Sequence, residues 1–215
     1  STQAKTLFPY TTLFRSMGEV SGAKMAAALE LAAEDNRNGI PTQAVLCLET
    51  GGVRLQKANL GLAAIADIHA AIVDLRQYTP VIGIIAGTVG CFGGMSIAAG
   101  LCSYLIVTRE ARVGLNGPQV IEQEAGIEEY DSRDRPFIWS MTGGEIRYQS
   151  GLVEALVGDG VNAVKAAMND ALAKGVPAKH RTDNYDWYLD RLTHFDTRKQ
   201  ADTEQINALF AREVK

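Results

Sequence analysis

Two pairs of adjacent glycines, Gly51-Gly52 and Gly93-Gly94, each stand where an apolar run gives way to a helix-forming one. The second pair lies in the stretch from Gly83 to Gly100. There Val81 to Ile85 reads as a buried strand, a glycine-rich turn follows, and small residues continue at helical spacing. A strand that stops at glycines and feeds a helix leaves unpaired backbone N–H groups aimed into one small space, the outline of an anion or oxyanion site. Glycines at such a junction also serve simply to let two elements pack closely. The first pair weighs against that plainer reading, because Ala44 to Glu49 followed by Thr50-Gly51-Gly52-Val53-Arg54 repeats the arrangement of apolar strand, double glycine and long helix.

If the two turns sit at neighbouring strand ends, they open on the same side of a sheet. Their N–H groups can then hold an oxygen that gains negative charge during reaction, such as the enolate oxygen of a thioester. One such oriented donor is worth ~2.7–4 kcal/mol of transition-state stabilisation, and glycine lets the substrate approach the backbone closely. The matching chemistry is loss or gain of CO₂ beside a thioester carbonyl, where the carbanion is the difficulty and a donor tuned to the oxyanion favours the transition state over the ground state. No glycine-rich P-loop ending in Gly-Lys-Ser/Thr is present, and no G-x-G-x-x-G follows a strand.

The elements that must position these turns follow from the pattern of the remaining chain. With 215 residues, 47% apolar content, 21% charged content and a formal charge of −4, the chain fits one soluble domain with scattered basic residues and no nucleic-acid footprint. No apolar run reaches the ~18 residues needed to span a membrane. Cys47, Cys91 and Cys102 lie in or beside apolar runs without C-x-x-C spacing, so they read as reduced, buried thiols of a cytoplasmic protein, with no zinc ribbon and no metal site expected.

An amphipathic helix is expected from about Ser21, as N-cap, to Asn38, with Met25, Leu29 and Ala32 inward. A second helix, from about Leu55 to Gln77, places Leu62, Ile65, Ile68, Ile72 and Leu75 on one stripe and carries His69, read as a surface or hydrogen-bonded histidine. Tyr104 to Thr108 is a third strand and Arg112 to Leu115 a short fourth; Gln119 to Glu124 is a brief helix. The alternation of strand and helix describes parallel crossover units and an α/β class. Glu128 to Arg135 reads as a solvated loop and helix start, with a polar subunit contact or substrate rim as its alternative; Pro136 opens a helix stopped by Thr142-Gly143-Gly144, another helix follows Gly158-Asp159-Gly160, and the tail forms one or two amphipathic helices able to cover the domain or dock a partner. His180 and His194 have no companions at metal-ligand spacing.

Thr6-Leu7-Phe8-Pro9-Tyr10-Thr11-Thr12-Leu13-Phe14-Arg15-Ser16 reads as the in-frame translation of a common DNA-sequencing adapter. Residues 1–16 are therefore expected to be a non-native segment, with 17–215 a single domain.

Four segments together carry a family resemblance: Glu49-Thr50-Gly51-Gly52-Val53-Arg54-Leu55-Gln56, Gly90-Cys91-Phe92-Gly93-Gly94-Met95, Val113-Gly114-Leu115-Asn116-Gly117-Pro118 and Glu129-Tyr130-Asp131-Ser132-Arg133-Asp134-Arg135. From about Gly18 onward the chain resembles the beta subunit of biotin-independent malonate decarboxylase, of the acyl-CoA carboxyltransferases in the ClpP/crotonase superfamily. The resemblance implies a crotonase-like spiral of ββα units with C-terminal helices, lacking its first strands here. It also implies a homologous gamma subunit completing the active site, an acyl carrier protein subunit and a malonyl/acetyl transferase subunit. The implied substrate is a malonyl thioester on the phosphoribosyl-dephospho-CoA arm of the carrier, converted to acetyl thioester and CO₂ without biotin, metal or a cofactor held permanently by this chain. By the same resemblance Gly93 and Gly94 match the thioester oxyanion hole, Gly51, Gly52 and Arg54 the neighbouring first turn, and Gly117 and Pro118 the pocket lining; Glu122 is a weaker match, with a surface or cap role as its alternative.

Three rivals stand beside this reading. The carboxyltransferase beta subunit of acetyl-CoA carboxylase carries an N-terminal four-cysteine zinc ribbon, which is not seen here. An enoyl-CoA hydratase needs acidic side chains to activate water, whereas Met95-Ser96 follow the second glycine pair. A non-catalytic scaffold that only binds the carrier would use the charged tail and Glu128 to Arg135.

Overall fold

A computed structural model describes residues 5–7, 16–53, 58–196, 198 and 202–210. Its centre is a parallel five-stranded sheet in sequential order: β1 (Lys5–Leu7), β2 (Thr42–Cys47), β3 (Val81–Ile85), β4 (Tyr104–Thr108) and β5 (Ala155–Val157). β3 and β4 have the expected limits. Pro80 precedes β3, and every residue of β3 is buried, as an apolar run in a covered parallel sheet should be. β1 lies inside the segment set aside on sequence grounds and pairs Lys5 to Leu7 with Thr42 to Ala44. Strand pairing is made by backbone groups, so an extended segment of any origin can cover the edge of β2.

One face of the sheet carries α1 (Glu19–Arg37), α2 (Ala58–Leu75) and α3 (Gly94–Leu101) over the larger core, in which Leu29, Leu46, Leu48, Ile68, Ile72, Leu75, Ile85, Met95 and Leu105 are buried. The other face packs Val45, Ile82, Ile84 and Ile106 against α7 (Val161–Lys174) around Ala171. Ser21 is not the N-cap of α1: the helix starts after Gly18, and Ser21 Oγ sits one turn in, 3.3 Å from the Gly18 N–H that it accepts. Leu62 is exposed although Ile65, Ile68, Ile72 and Leu75 of the same expected stripe are buried, because the buried face of α2 runs back through Ala64 and Gly61, and Gly61 packs on Val53 and Met17.

Beyond the strands, single-residue bridges make a second, narrow ladder: Met17 with Val53, Thr50 with Cys91, and Cys91 with Val113. Each crossover thus runs strand, bridge, helix, a reduced form of the ββα unit. Arg112 to Leu115, expected as a strand, is corrected to such bridges, Val113 with Cys91 and Arg112 with Gly143. The next true strand is β5, which its three half-buried residues conceal in the sequence.

After β4 come α4 (Pro118–Ala125), α5 (Arg135–Thr142) and α6 (Gly144–Gln149). The charged loop is partly a cap: Asp134 Oδ1 accepts the Phe137 N–H at 3.1 Å and starts α5. Gly143 ends α5 and also begins α6, and a side chain on Gly144 would overlap the Thr108 carbonyl, so this glycine pair seats α6 on the end of β4. The tail forms a 3₁₀ turn (Arg181–Asn184), α8 (Tyr185–Thr193) and α9 (Thr203–Phe210), with the rings of Trp187, Tyr188 and Phe210 clustered and Trp187 edge-on to Tyr188. Arg181 fastens it to the core by an ion pair with Glu154 and a 2.7 Å bond to the Gly100 carbonyl at the end of α3. Cys91 and Cys102 are buried, and burial pushes the Cys102 thiol up to about 12; Cys47, the last residue of β2, departs from expectation in being exposed. No helix among the described residues is long and apolar enough to cross a membrane.

Candidate active site

The two glycine turns touch. A Cβ placed on Gly93 would lie 3.0 Å from the Gly52 Cα, and one on Gly52 would lie 3.6 Å from the Gly93 Cα. Their union follows from the ladder: Thr50 donates its N–H to the Gly90 carbonyl at 2.8 Å and accepts the Phe92 N–H at 2.9 Å. Both glycines adopt positive φ, +108° at Gly52 and +63° at Gly93, which side-chain-bearing residues rarely adopt.

Not every N–H in these turns is available. Gly52 donates to Thr50 Oγ1 at 3.2 Å, and Gly93 donates to the Leu115 carbonyl at 2.7 Å. Gly51 and Gly94 have no acceptor for their N–H among the described residues, nor has Met95; Met95, however, is fully buried, while Gly51 is exposed and Gly94 half-buried. As the first residue of α3, Gly94 lacks a helical acceptor by construction. Its carbonyl is held by His69 Nε2 at 2.8 Å; because a carbonyl only accepts, the imidazole proton is on that nitrogen. The hydrogen-bonded alternative for His69 is thus the one realised, and its partner is the second turn itself.

Beside the first turn a cavity of about 480 Å³ is lined by Gly51, Gly117 and Pro118, with Val89, Phe92, Arg112, Gln119 and Ser132 among the other walls. Of the residues singled out in the sequence, Gly51, Gly117 and Pro118 meet in this cavity, whereas Gly52 and Gly93 form the contact between the turns, Gly94 follows Gly93 and packs on Ile65, and none of these three lines the cavity. Arg54 lies outside the described residues. Glu122 accepts the Ser132 N–H at 2.7 Å, and hydrogen bonding from Ser132 holds its carboxyl below the usual value. It therefore secures part of the cavity wall.

Two charged residues of the site escaped the sequence reading. Glu49 Oε1 accepts the N–H groups of Ala86, at 3.0 Å, and Gly87, while Oε2 accepts that of Gly90 at 3.0 Å. Arg112 donates from Nε and Nη2 to the Thr88 carbonyl, at 3.0 and 2.6 Å. Its guanidinium also lies over Phe92 and Trp139, 5.5 and 4.6 Å from the ring centroids. Burial lowers the Arg112 pKa, with Arg135, itself stacked on Trp139, acting in the same direction. Glu49 ends an apolar run like any polar boundary residue, and only the return of the chain after β3 shows its purpose.

Comparison with known proteins places this geometry in a family. No family model matches the sequence. The malonyl-S-ACP:biotin-protein carboxyltransferase MADC of Malonomonas rubra is 38% identical over 169 residues, 74% of this chain and 53% of that protein, so the chain spans about half of the curated relative's length. A chain in the crystal structure of a Pseudomonas malonate decarboxylase hetero-tetramer in complex with malonate is 67% identical with a TM-score of 0.88, covering 91% of this chain and 71% of that one. A chain of the Pseudomonas malonate decarboxylase MdcD-MdcE hetero-dimer is 65% identical with a TM-score of 0.76, covering 83% and 74%. The chain belongs to the malonate decarboxylase subunits, built on the crotonase-like carboxyltransferase fold.

Proposed function

We propose that the chain serves in a malonate decarboxylase complex that converts a malonyl thioester on an acyl carrier to acetyl thioester and CO₂, with the Gly94 N–H as donor to the thioester oxygen. The bond between Cα and the carboxylate carbon breaks, CO₂ leaves, the electron pair passes into the thioester carbonyl to form the enolate, and Cα then takes one proton. The observation that carries this reading is the contact of the two turns through Gly52 and Gly93, with Gly51 lining a cavity of about 480 Å³ and Gly94 next to Gly93, neither Gly51 nor Gly94 having an N–H acceptor among the described residues. A preoriented backbone donor meets the charge that develops on the enolate oxygen. Val89, Phe92, Pro118 and Val120 give that cavity apolar walls, which disfavour a solvated carboxylate relative to departing CO₂.

Gly93 shapes the turn instead of donating, since its N–H is already bonded to Leu115. Gly51, Gly117 and Pro118 line the acyl pocket, and Arg54 is assigned to its edge by family resemblance. The remaining parts are a homologous gamma subunit, a carrier with a phosphoribosyl-dephospho-CoA arm and a malonyl/acetyl transferase subunit; the hetero-oligomeric relatives support this assembly. Neither biotin nor a metal has a place in this scheme.

A second reading, carboxyl transfer to a biotin protein, is favoured by the likeness to MADC. It shares the enolate step and differs in the fate of CO₂. The test is turnover of ¹³C-malonyl carrier by the complex assembled with and without this chain, each with and without avidin. The decarboxylase reading expects CO₂ release that needs this chain and ignores avidin. Release without the chain would make it a scaffold, and avidin inhibition would favour the biotin route.

A further inference from the structure

The loop Ala86-Gly87-Thr88-Val89-Gly90, between β3 and the second glycine turn, is gripped from two sides. Glu49 takes the N–H groups of Ala86, Gly87 and Gly90; Arg112 gives its N–H groups to the carbonyls of Thr88 and, at 3.3 Å, Val89. The grip is close enough to account for both loop glycines. A Cβ on Gly87 would lie 2.9 Å from the Glu49 carboxyl carbon, and one on Gly90 would lie 2.6 Å from the Arg112 carbonyl oxygen. Hydrogen bonds to an ionised carboxylate are short and strong, and a guanidinium donates in a fixed fork, so the loop has little freedom between them.

We propose that Glu49 is a positioning residue for the reaction assigned above, its carboxylate acting with the Arg112 guanidinium to set the loop that carries the second glycine turn and one wall of the acyl cavity. The proposal rests on the decarboxylase reading for its kinetic consequence. The clamp leads to the site by two routes. Gly90, held by Glu49, bonds through its carbonyl to Thr50 of the first turn, and Thr88 and Val89, held by Arg112, line the cavity. Both oxygens of Glu49 are occupied by backbone donors and Glu49 does not line the cavity, so it acts through the loop and not on the substrate.

The discriminating variant is Glu49→Gln, which keeps the side-chain shape but sets an amide N–H₂ or an uncharged oxygen against the three donors. In the assembled complex kcat is expected to fall roughly 10²-fold with KM within about two-fold, the signature of a misplaced transition-state contact with uniform binding retained. Hydrogen exchange of the segment 84–93, followed by mass spectrometry, is expected to rise while exchange in β4 stays at the wild-type rate. Glu49→Asp, which keeps the charge on a shorter stem, is expected to lie between the two in both readouts. Wild-type kcat in Glu49→Gln, or unchanged exchange of 84–93, overturns the proposal. If Glu49→Gln does not assemble, Glu49→Asp decides: wild-type kcat and exchange overturn the clamp, and a lowered kcat with raised exchange of 84–93 supports it. A wild-type complex that fails to decarboxylate, while exchange of 84–93 still rises in Glu49→Gln, removes the decarboxylase reading and leaves the clamp standing.

Discussion

In the first glycine turn the extended backbone of β2 ends at Cys47, close before Thr50, and the second glycine, Gly52, takes positive φ with its N–H on the neighbouring Thr50 hydroxyl. In the second turn a clamped loop separates β3 from the glycines, and it is the first of them, Gly93, that takes positive φ, with its N–H on the distant Leu115 carbonyl. The difference teaches that a shared pattern of strand, double glycine and helix is met by two constructions. The first is local and open, since Gly51 is exposed; the second depends on Glu49, Arg112, Leu115 and His69, all brought from elsewhere in the chain. Among the described residues the N–H without an acceptor belongs to the first glycine of the first pair, Gly51, and to the second glycine of the second pair, Gly94.

Substitution to alanine separates the two constructions. Gly90→Ala combines a positive φ of +77° with a 2.6 Å overlap on the Arg112 carbonyl, and it is expected to destabilise the chain by roughly 2–6 kcal/mol in denaturant unfolding, strain and overlap together. Gly93→Ala follows, at roughly 2–4 kcal/mol, because its backbone lies in a glycine-only region and its nearest neighbour at 3.0 Å is the Gly52 Cα, a backbone atom that cannot swing aside. Gly52→Ala has ordinary contact at 3.6 Å and carries the strain of φ alone, roughly 1–3 kcal/mol. A larger loss at Gly52 than at Gly90 would break the comparison. Gly117→Ala is the control, with φ of −68° and nothing within 4 Å of the added methyl. The poorer N-cap and the reduced freedom of the unfolded chain oppose each other there, so the change is expected to stay within about 0.5 kcal/mol.

The strand limits of β3 and β4 were legible because each is an apolar run cut off by proline, glycine or charge. The inward stripe of α2 was legible from Ile65 to Leu75, where helical period and burial agree; before Ile65 the buried face passes through Ala64 and Gly61, small residues that carry no apolar signal, and Leu62 stays exposed. That the two glycine turns meet was legible from their repeated context. What stayed hidden was which N–H groups are spent, since the Leu115 carbonyl that engages Gly93 arrives from a segment whose pairing is a single bridge and has no period to read. Glu49 was hidden for a related reason. Its partners are backbone amides 37 to 41 residues later, and amides carry no side-chain signature. The bond from His69 to Gly94 likewise spans 25 residues and gives α2 no feature beyond an ordinary polar position.

The central claim, that the Gly94 N–H holds the thioester oxygen, is tested most directly by removing that one donor. A side chain at Gly94 would meet Ile65 Cγ2 at 2.8 Å, so Gly94→Pro is placed in an Ile65→Ala background, which opens the space; proline is tolerated at a first helical position because no helical acceptor is lost there. The measurement is kcat for decarboxylation of malonyl carrier by the assembled complex, with Ile65→Ala alone as reference. The expected result is a fall of ~10²–10³-fold in the double variant. Equal turnover in the two variants would contradict the assignment.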